Sequence, residues 1–165
     1  MLEQLYQLEK ELPIHLADES SWNSLYVDYH KPYVKRLWKP VGDYRLFLHQ
    51  IFPCEKQESL LHPHPWPSAM KVVGGIYEMG VGYSATNELP IIASTLILPV
   101  NSYYEMVDIN AWHYVRPLNK PSFSLMITGK TWKRESPKSD YKMRELHEDE
   151  KKVIFDEFRK LYLAK

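Results

Sequence analysis

The chain has 165 residues, which suits one domain (1–165) with its own hydrophobic core, and its single cysteine, Cys54, cannot form an internal disulfide. Its 21 basic and 21 acidic residues cancel and no basic stripe stands out, which excludes nucleic acid as an expected partner. Without a run of about 18 apolar residues or a signal-like N-terminus, the chain is expected to be cytoplasmic and to enter no membrane.

The N-terminal part, residues 1–43, is expected to form a helix and an arm. Leucines recur at nearly helical spacing at Leu2, Leu5, Leu8 and Leu12. They predict a helix over residues 2–12 that ends at Pro13. From residue 14 to 40 the pattern is irregular, and its two short apolar-polar alternations, LYVDY and YVKRLW, indicate an arm or an edge-strand pair laid over the body.

Strand candidates follow in quick succession between residues 44 and 130. Their ranges are 44–52, 70–79, 91–98, 103–108, 112–116 and 122–129. The turn sequences NELP, PVNS, DIN and PLNKP separate them at the short spacing typical of an antiparallel barrel or sandwich. Residues 146–163 then place Ile154, Phe158 and Leu161 at helical spacing, which predicts an amphipathic C-terminal helix.

The segment LLHPHPWPSA contains two histidines, His62 and His64, separated by one residue. In an extended segment such a pair puts both imidazoles on one side of the strand, where they can chelate one ion. The alternative is a turn without metal. Pro63 and Pro65 remove backbone donors on each side of His64, so this segment is expected at a sheet edge or a bulge.

The stretch LLHPHPWPSAMKVVGGIYEMG, with its H-x-H pair, strand and glycine turn, resembles the first motif of the cupin superfamily. In WHYVRP, His113 lies where cupins supply their remaining histidine. The resemblance covers roughly residues 44–130 and implies a mainly β, antiparallel barrel of the cupin or jelly-roll type. It also implies one divalent metal ion on His62, His64 and His113. Ser68 and Ala69 stand where many cupins have a ligand glutamate, so the implied site has three histidines and open positions.

The missing glutamate makes the chain similar to the cysteine dioxygenase group of cupins, and Ser124-Leu125 after the ligand histidine adds to this likeness. Fe(II) is therefore the favoured ion, with Zn, Mn or Ni as alternatives. Met126 and Thr128 occupy the positions where those enzymes place a histidine and a tyrosine, which argues against a thiol substrate. The chain as a whole is most similar to uncharacterised bacterial cupin-domain proteins.

Five further side chains are candidates for a role beside the metal or the substrate: His49, Arg45, Glu105, Trp66 and Tyr114. Strand alternation puts Arg45 and His49 on one face, from which they can clamp a carboxylate or orient a ligand if that face lines the cavity. A core histidine and a surface arginine are the alternative. Glu105 is the best carboxylate to replace the missing ligand, although a solvent-facing position also fits, and Trp66 and Tyr114 are either cavity walls or core.

Three functions remain compatible with the sequence. The first is a non-haem Fe(II) dioxygenase-like enzyme acting on a small molecule, for which no catalytic acid or base can be named. The second is an isomerase or lyase that uses Zn, Mn or Ni as a Lewis acid. The third is a cupin that binds a small ligand without catalysis. A homodimer is an acceptable assembly for each of them.

Overall fold

Ten strands make up much of the chain in the computed structural model, which describes residues 1–163. They are β1 (Asn23–Val27), β2 (Val34–Val41), β3 (Tyr44–Ile51), β4 (His62–Pro63), β5 (Ser68–Gly74), β6 (Ile76–Tyr83), β7 (Ile92–Pro99), β8 (Tyr103–Met106), β9 (Ala111–Pro117) and β10 (Ser122–Thr128). Helix α1 (Leu2–Ala17) precedes the strands and helix α2 (Glu148–Tyr162) follows them. Single 3₁₀ turns lie at Glu19–Ser21 and Lys56–Glu58.

The strands pair into two antiparallel sheets. One sheet has six strands in the order β1-β2-β3-β10-β5-β8, and the other has four in the order β4-β9-β6-β7. The predicted fold class, mainly antiparallel β with a short helix at each end, is confirmed. The short strand β4 lies at the edge of its sheet, in agreement with the prolines that flank His64.

Both faces of the six-stranded sheet are buried. The two helices cover its outer face, and the core there joins leucines of α1 and aromatic residues of α2 to sheet residues that include Leu37, Leu46, Leu48, Leu125 and Ile127. The inner face packs on the four-stranded sheet through Phe47, Ile51, Met70, Val72, Tyr77, Met79, Val115 and Met126. Neither described helix is long and apolar enough to span a membrane.

Helix α1 continues past Pro13 to Ala17, so the prediction that Pro13 ends the helix was wrong. Proline removes one backbone hydrogen bond and crowds the preceding turn. Here the leucine stripe extends one turn further than the sequence suggested, because Leu16 is fully buried beside Leu12. The burial of Leu16 offsets the cost of the internal proline.

The predicted strand 70–79 is two strands, β5 and β6, which belong to different sheets. The chain turns between them at Gly75, whose φ is +76°, a conformation that side chains rarely adopt. A Cβ on Gly75 would also lie 2.8 Å from Ser122 Oγ. Strands β1 and β2 pair with each other and join the edge of the six-stranded sheet next to β3.

Candidate metal centre

Pairing between two strands brings the histidines together. Strand β4 pairs with β9 in a register that places His62 opposite His113. Residues directly opposite each other in an antiparallel pair share a face, so both imidazoles point to the inner side of the sheet. His64 follows two residues after His62 and points the same way. Its backbone carbonyl accepts a hydrogen bond from the Trp132 indole at 2.9 Å, which anchors the loop.

The three imidazoles are close enough to hold one ion. One ring nitrogen from each lies within 4.8 Å of the others, and the Nε2 atoms of His64 and His113 are 2.7 Å apart. Two nitrogens that each lie about 2.1 Å from an ion at right angles are about 3 Å apart, so this spacing suits shared coordination. In the metal-free protein one of these two Nε2 atoms donates its proton to the other, and a bound ion would take the place of that shared proton.

Burial keeps the three rings neutral, and only a neutral imidazole has a lone pair for a metal. Burial lowers the pKa of His62 to about 4, although the hydrogen bond from its ring to the Leu60 carbonyl acts in the opposite direction. Burial also lowers the pKa of His113 to about 3 and that of His64 well below its usual range. His62 Nδ1 donates to the Leu60 carbonyl at 2.9 Å, which leaves its Nε2 free to bind.

The histidines line a cavity of about 580 Å³ between the two sheets, a volume typical of small-molecule sites. Its apolar wall comes from both sheets and includes Val34, Ile51, Met70, Val115 and Met126. A segment over residues 136–143, which we call the strap, covers one side. The Tyr29 hydroxyl donates to the Pro137 carbonyl at 3.1 Å, and the Tyr141 hydroxyl donates to the Asp28 carboxylate at 2.7 Å. These two hydrogen bonds attach the strap to residues 28 and 29.

Two of the five additional candidates, His49 and Trp66, line this cavity. His49 is buried on the inner face of β3, and its Nδ1 lies 3.4 Å from Ser124 Oγ. Burial and the nearby Arg36 lower its pKa to about 3. Arg45 lies outside the cavity wall, with its guanidinium 5.5 Å from the centre of the Trp66 ring.

The structure does not bring Tyr114 and Glu105 to the histidines. Tyr114 points to the opposite face of β9 from His113, and its hydroxyl donates to Glu78 at 2.7 Å. Glu105 on β8 accepts from the Leu2 backbone amide at 3.0 Å and pairs with the N-terminal amine at 3.2 Å. Neither side chain lines the cavity, because strand alternation turns Tyr114 outward and β8 lies at the far edge of the other sheet.

Sequence reasoning missed four residues around the site: Tyr29, His30, Arg36 and Trp132. Arg36 lies in the alternating segment YVKRLW, but only the pairing of β2 with β3 places it opposite His49. The other three lie in irregular segments without periodicity. Cys54 does not line the cavity. Burial raises the pKa of its thiol, which is typical of a cysteine without enhanced reactivity.

Replacing Trp132 by phenylalanine is expected to weaken metal binding by up to about tenfold, because the ring stays but the donor to the His64 carbonyl is lost. Competition with a coloured chelator measures the affinity. Trp112→Phe is the matched control, since the Trp112 indole bonds to Ser84 on the outer side of the sheet. An equal loss in both variants would contradict a role for Trp132 in holding His64.

Acid is expected to destabilise the metal-free protein through His49. Its pKa is about 6.5 in the unfolded chain and about 3 in the folded one, so below pH 6.5 the unfolded chain binds a proton that the folded chain excludes. The contribution of His49 to the free energy of unfolding is therefore complete above pH 6.5. Below this pH the contribution falls by about 1.4 kcal/mol per pH unit. Urea unfolding of wild type and His49→Gln, repeated from neutral to mildly acidic pH, checks this. Parallel pH dependences in the two proteins would show the expectation to be wrong.

Comparisons with known proteins show the fold. No family model and no curated protein sequence matches the chain. Among solved structures, hydroxypropylphosphonic acid epoxidase from S. wedmorenis has a TM-score of 0.53 and 13% identity, with 67% of this chain and 56% of that chain covered. FeII HppE gives the same TM-score of 0.53 at 12% identity, with 67% and 57% covered. KdgF from Halomonas sp. has a TM-score of 0.47 and 14% identity, covering 70% of this chain and 89% of that one.

The present chain spans less than two thirds of the epoxidase, 56% of its length. At 13% identity the likeness concerns the arrangement of strands and not the chemistry. It confirms the predicted cupin fold, with its inner cavity between two antiparallel sheets. The three clustered histidines stand on the geometry of this chain alone.

Proposed function

We propose that this protein is a metalloenzyme of the cupin fold, in which His62, His64 and His113 hold one divalent ion and a small molecule reacts beside it. The observation that carries the proposal is the convergence of three neutral imidazoles, one buried and two half-buried, on one cavity wall. Among residues 1–163, no aspartate or glutamate lines this cavity. The ligand set is therefore uncharged, and the ion would keep its full double charge.

The favoured activity is that of a non-haem Fe(II) dioxygenase-like enzyme. An ion on three histidines supplies exchangeable positions at which a substrate and dioxygen can meet. The chain itself holds the three rings in position through the β4–β9 pairing and the Trp132 anchor. Its apolar wall and the strap limit water around the bound substrate. FeII HppE, a structural neighbour, is a precedent for iron on this fold.

An isomerase or lyase that uses Zn, Mn or Ni is the alternative proposal, since imidazole nitrogens accept all of these ions. The two proposals differ in their need for dioxygen. A non-catalytic cupin would retain its ligand without converting it. The cavity of about 580 Å³ is compatible with each of them.

The test loads the metal-free protein anaerobically with Fe(II), Mn(II), Ni(II) or Zn(II) and supplies a panel of small organic acids. Oxygen uptake that needs Fe(II) and disappears in His113→Ala supports the dioxygenase. Anaerobic conversion with another ion supports the isomerase or lyase. Nitric oxide, which binds open positions on Fe(II), gives a second readout by electron paramagnetic resonance. Absence of an iron–nitrosyl signal in the Fe(II)-loaded protein would contradict a site with exchangeable positions.

A further inference from the structure

Arg36 is a cation inside the cavity that lacks a counter-charge. It lies on β2 directly opposite His49 of β3, so it shares the inner face with that histidine. Its Nε is buried and has no hydrogen-bond partner among the described residues. The central carbon of the guanidinium lies over the Phe47 ring, 5.7 Å from the centre of that ring.

The groups that face Arg36 do not neutralise it. They are the phenol Tyr29 and the histidines His30, His49 and His64, while Arg45, outside the cavity wall, adds a second positive charge nearby. The histidines have lowered pKa values and are neutral near pH 7, and burial raises the pKa of Tyr29. Within the described chain, therefore, no carboxylate pairs with Arg36.

The rest of the cavity has the same sign of charge. Lys138 and Lys142 of the strap line it together with Arg36, and among residues 1–163 the lining contains no acidic side chain. A buried, unpaired cation is costly, and proteins usually pair it or use it to bind an anion. Residues 1–163 place no anion beside Arg36, and an anionic ligand would supply the missing partner.

We propose that Arg36 binds the anionic group of a small organic acid, so that the substrate reaches from Arg36 to the three histidines along the apolar wall of the cavity. This inference rests on the proposed function for the reacting end of the molecule, but anion binding itself does not need the metal. The guanidinium fork fits a planar carboxylate and also a tetrahedral phosphonate. Val34, Ile51 and Met70 provide contact for the short apolar body between the two ends.

Calorimetry on the metal-free protein tests the proposal, with butanoate, propylphosphonate and the neutral butanamide as probes. Wild type is expected to bind at least one acid in the millimolar range and the amide at least about tenfold more weakly, because a charge-assisted pair is lost. The preferred acid distinguishes the two oxyanion classes. Equal binding of acid and amide, or no binding of either acid, would overturn the proposal.

Two variants locate the anion site. Arg36→Met keeps the length of the side chain, removes its charge and is expected to weaken acid binding at least about tenfold. Lys152→Met is the matched control, since Lys152 is exposed on α2 and does not line the cavity, and it should change binding by less than about threefold. Equal effects in the two variants would refute a specific role for Arg36.

Stability separates a binding role from a structural one. If Arg36 serves to bind a ligand, it is an unpaired buried cation in the ligand-free protein. The Arg36→Met variant removes this charge and is expected to raise the thermal midpoint of the ligand-free protein. A lower midpoint together with unchanged acid binding would mean that Arg36 is structural. The His113→Ala variant separates the two proposals, since it is expected to lose metal binding and to retain acid binding. A wild-type protein that binds an acid but no metal ion would support the Arg36 anion site and contradict the proposed metal site.

Discussion

Replacing His113 by alanine is expected to abolish stoichiometric metal binding. Three imidazole nitrogens within 4.8 Å of one another define the site, and removal of one leaves two neutral ligands on a single loop. Such a pair binds divalent ions far more weakly than three converging ligands. Elemental analysis of tag-free protein should give about one ion per chain for wild type and close to none for His113→Ala. The same result is expected for His62→Ala and His64→Ala.

His147→Asn is the matched control for this experiment. His147 is exposed and lies at the N-cap of α2, where asparagine is a favourable residue. This variant should keep the full metal content. Far-ultraviolet circular dichroism checks that each variant has the wild-type strand content. Stoichiometric metal in a folded His113→Ala protein would refute the assignment of the site.

Replacing Phe158 by alanine is expected to destabilise the protein by about 3–5 kcal/mol, a large part of the usual 5–15 kcal/mol for a domain. Phe158 is fully buried between α2, α1 and the outer face of the six-stranded sheet. The missing ring leaves a cavity that these rigid elements fill only in part. Urea unfolding at neutral pH measures the change, with the slope of the transition as a check on two-state behaviour.

Val153→Ala is the matched control, because Val153 lies on the other side of the same helix and is 49% exposed. Its free energy of unfolding should change by less than about 0.5 kcal/mol. Below the transition, Phe158→Ala should keep its metal, since the histidines lie on the opposite side of the six-stranded sheet from α2. Similar losses of stability in both variants would contradict the packing of α2 described above.

The sequence predicted the features that depend on local pattern. Strand patterns located β3 and β7 to β10 and the stretch that β5 and β6 share, and the cupin resemblance implied the three histidines that converge. Strand alternation also grouped His49 with Phe47 and Ile51 on one face of β3, and the structure turns that face toward the cavity. The grouping of His49 with Phe47 and Ile51 follows from strand periodicity, which fixes which side chains share a face.

Features that depend on tertiary structure could not be predicted in the same way. The helix passes Pro13 because Leu16 has a buried site to fill, which no local signal states. Arg36 escaped notice because only the pairing of β2 with β3 brings it beside His49, whereas Arg45 was chosen from its own strand alone. Tyr114 was proposed as a neighbour of His113 in sequence, but adjacent strand residues face opposite sides.

The pairing of β4 with β9 determines when the binding site forms during folding. His62 and His64 are neighbours in any extended chain, but His113 joins them only after the intervening strands have found their partners. Closure of such a long loop is a slow, non-local event. An unfolded chain therefore offers only a weak two-nitrogen site, and the complete ligand set appears with the native fold. The ion that the proposed site would acquire therefore depends on the free metal concentrations in the compartment where folding ends.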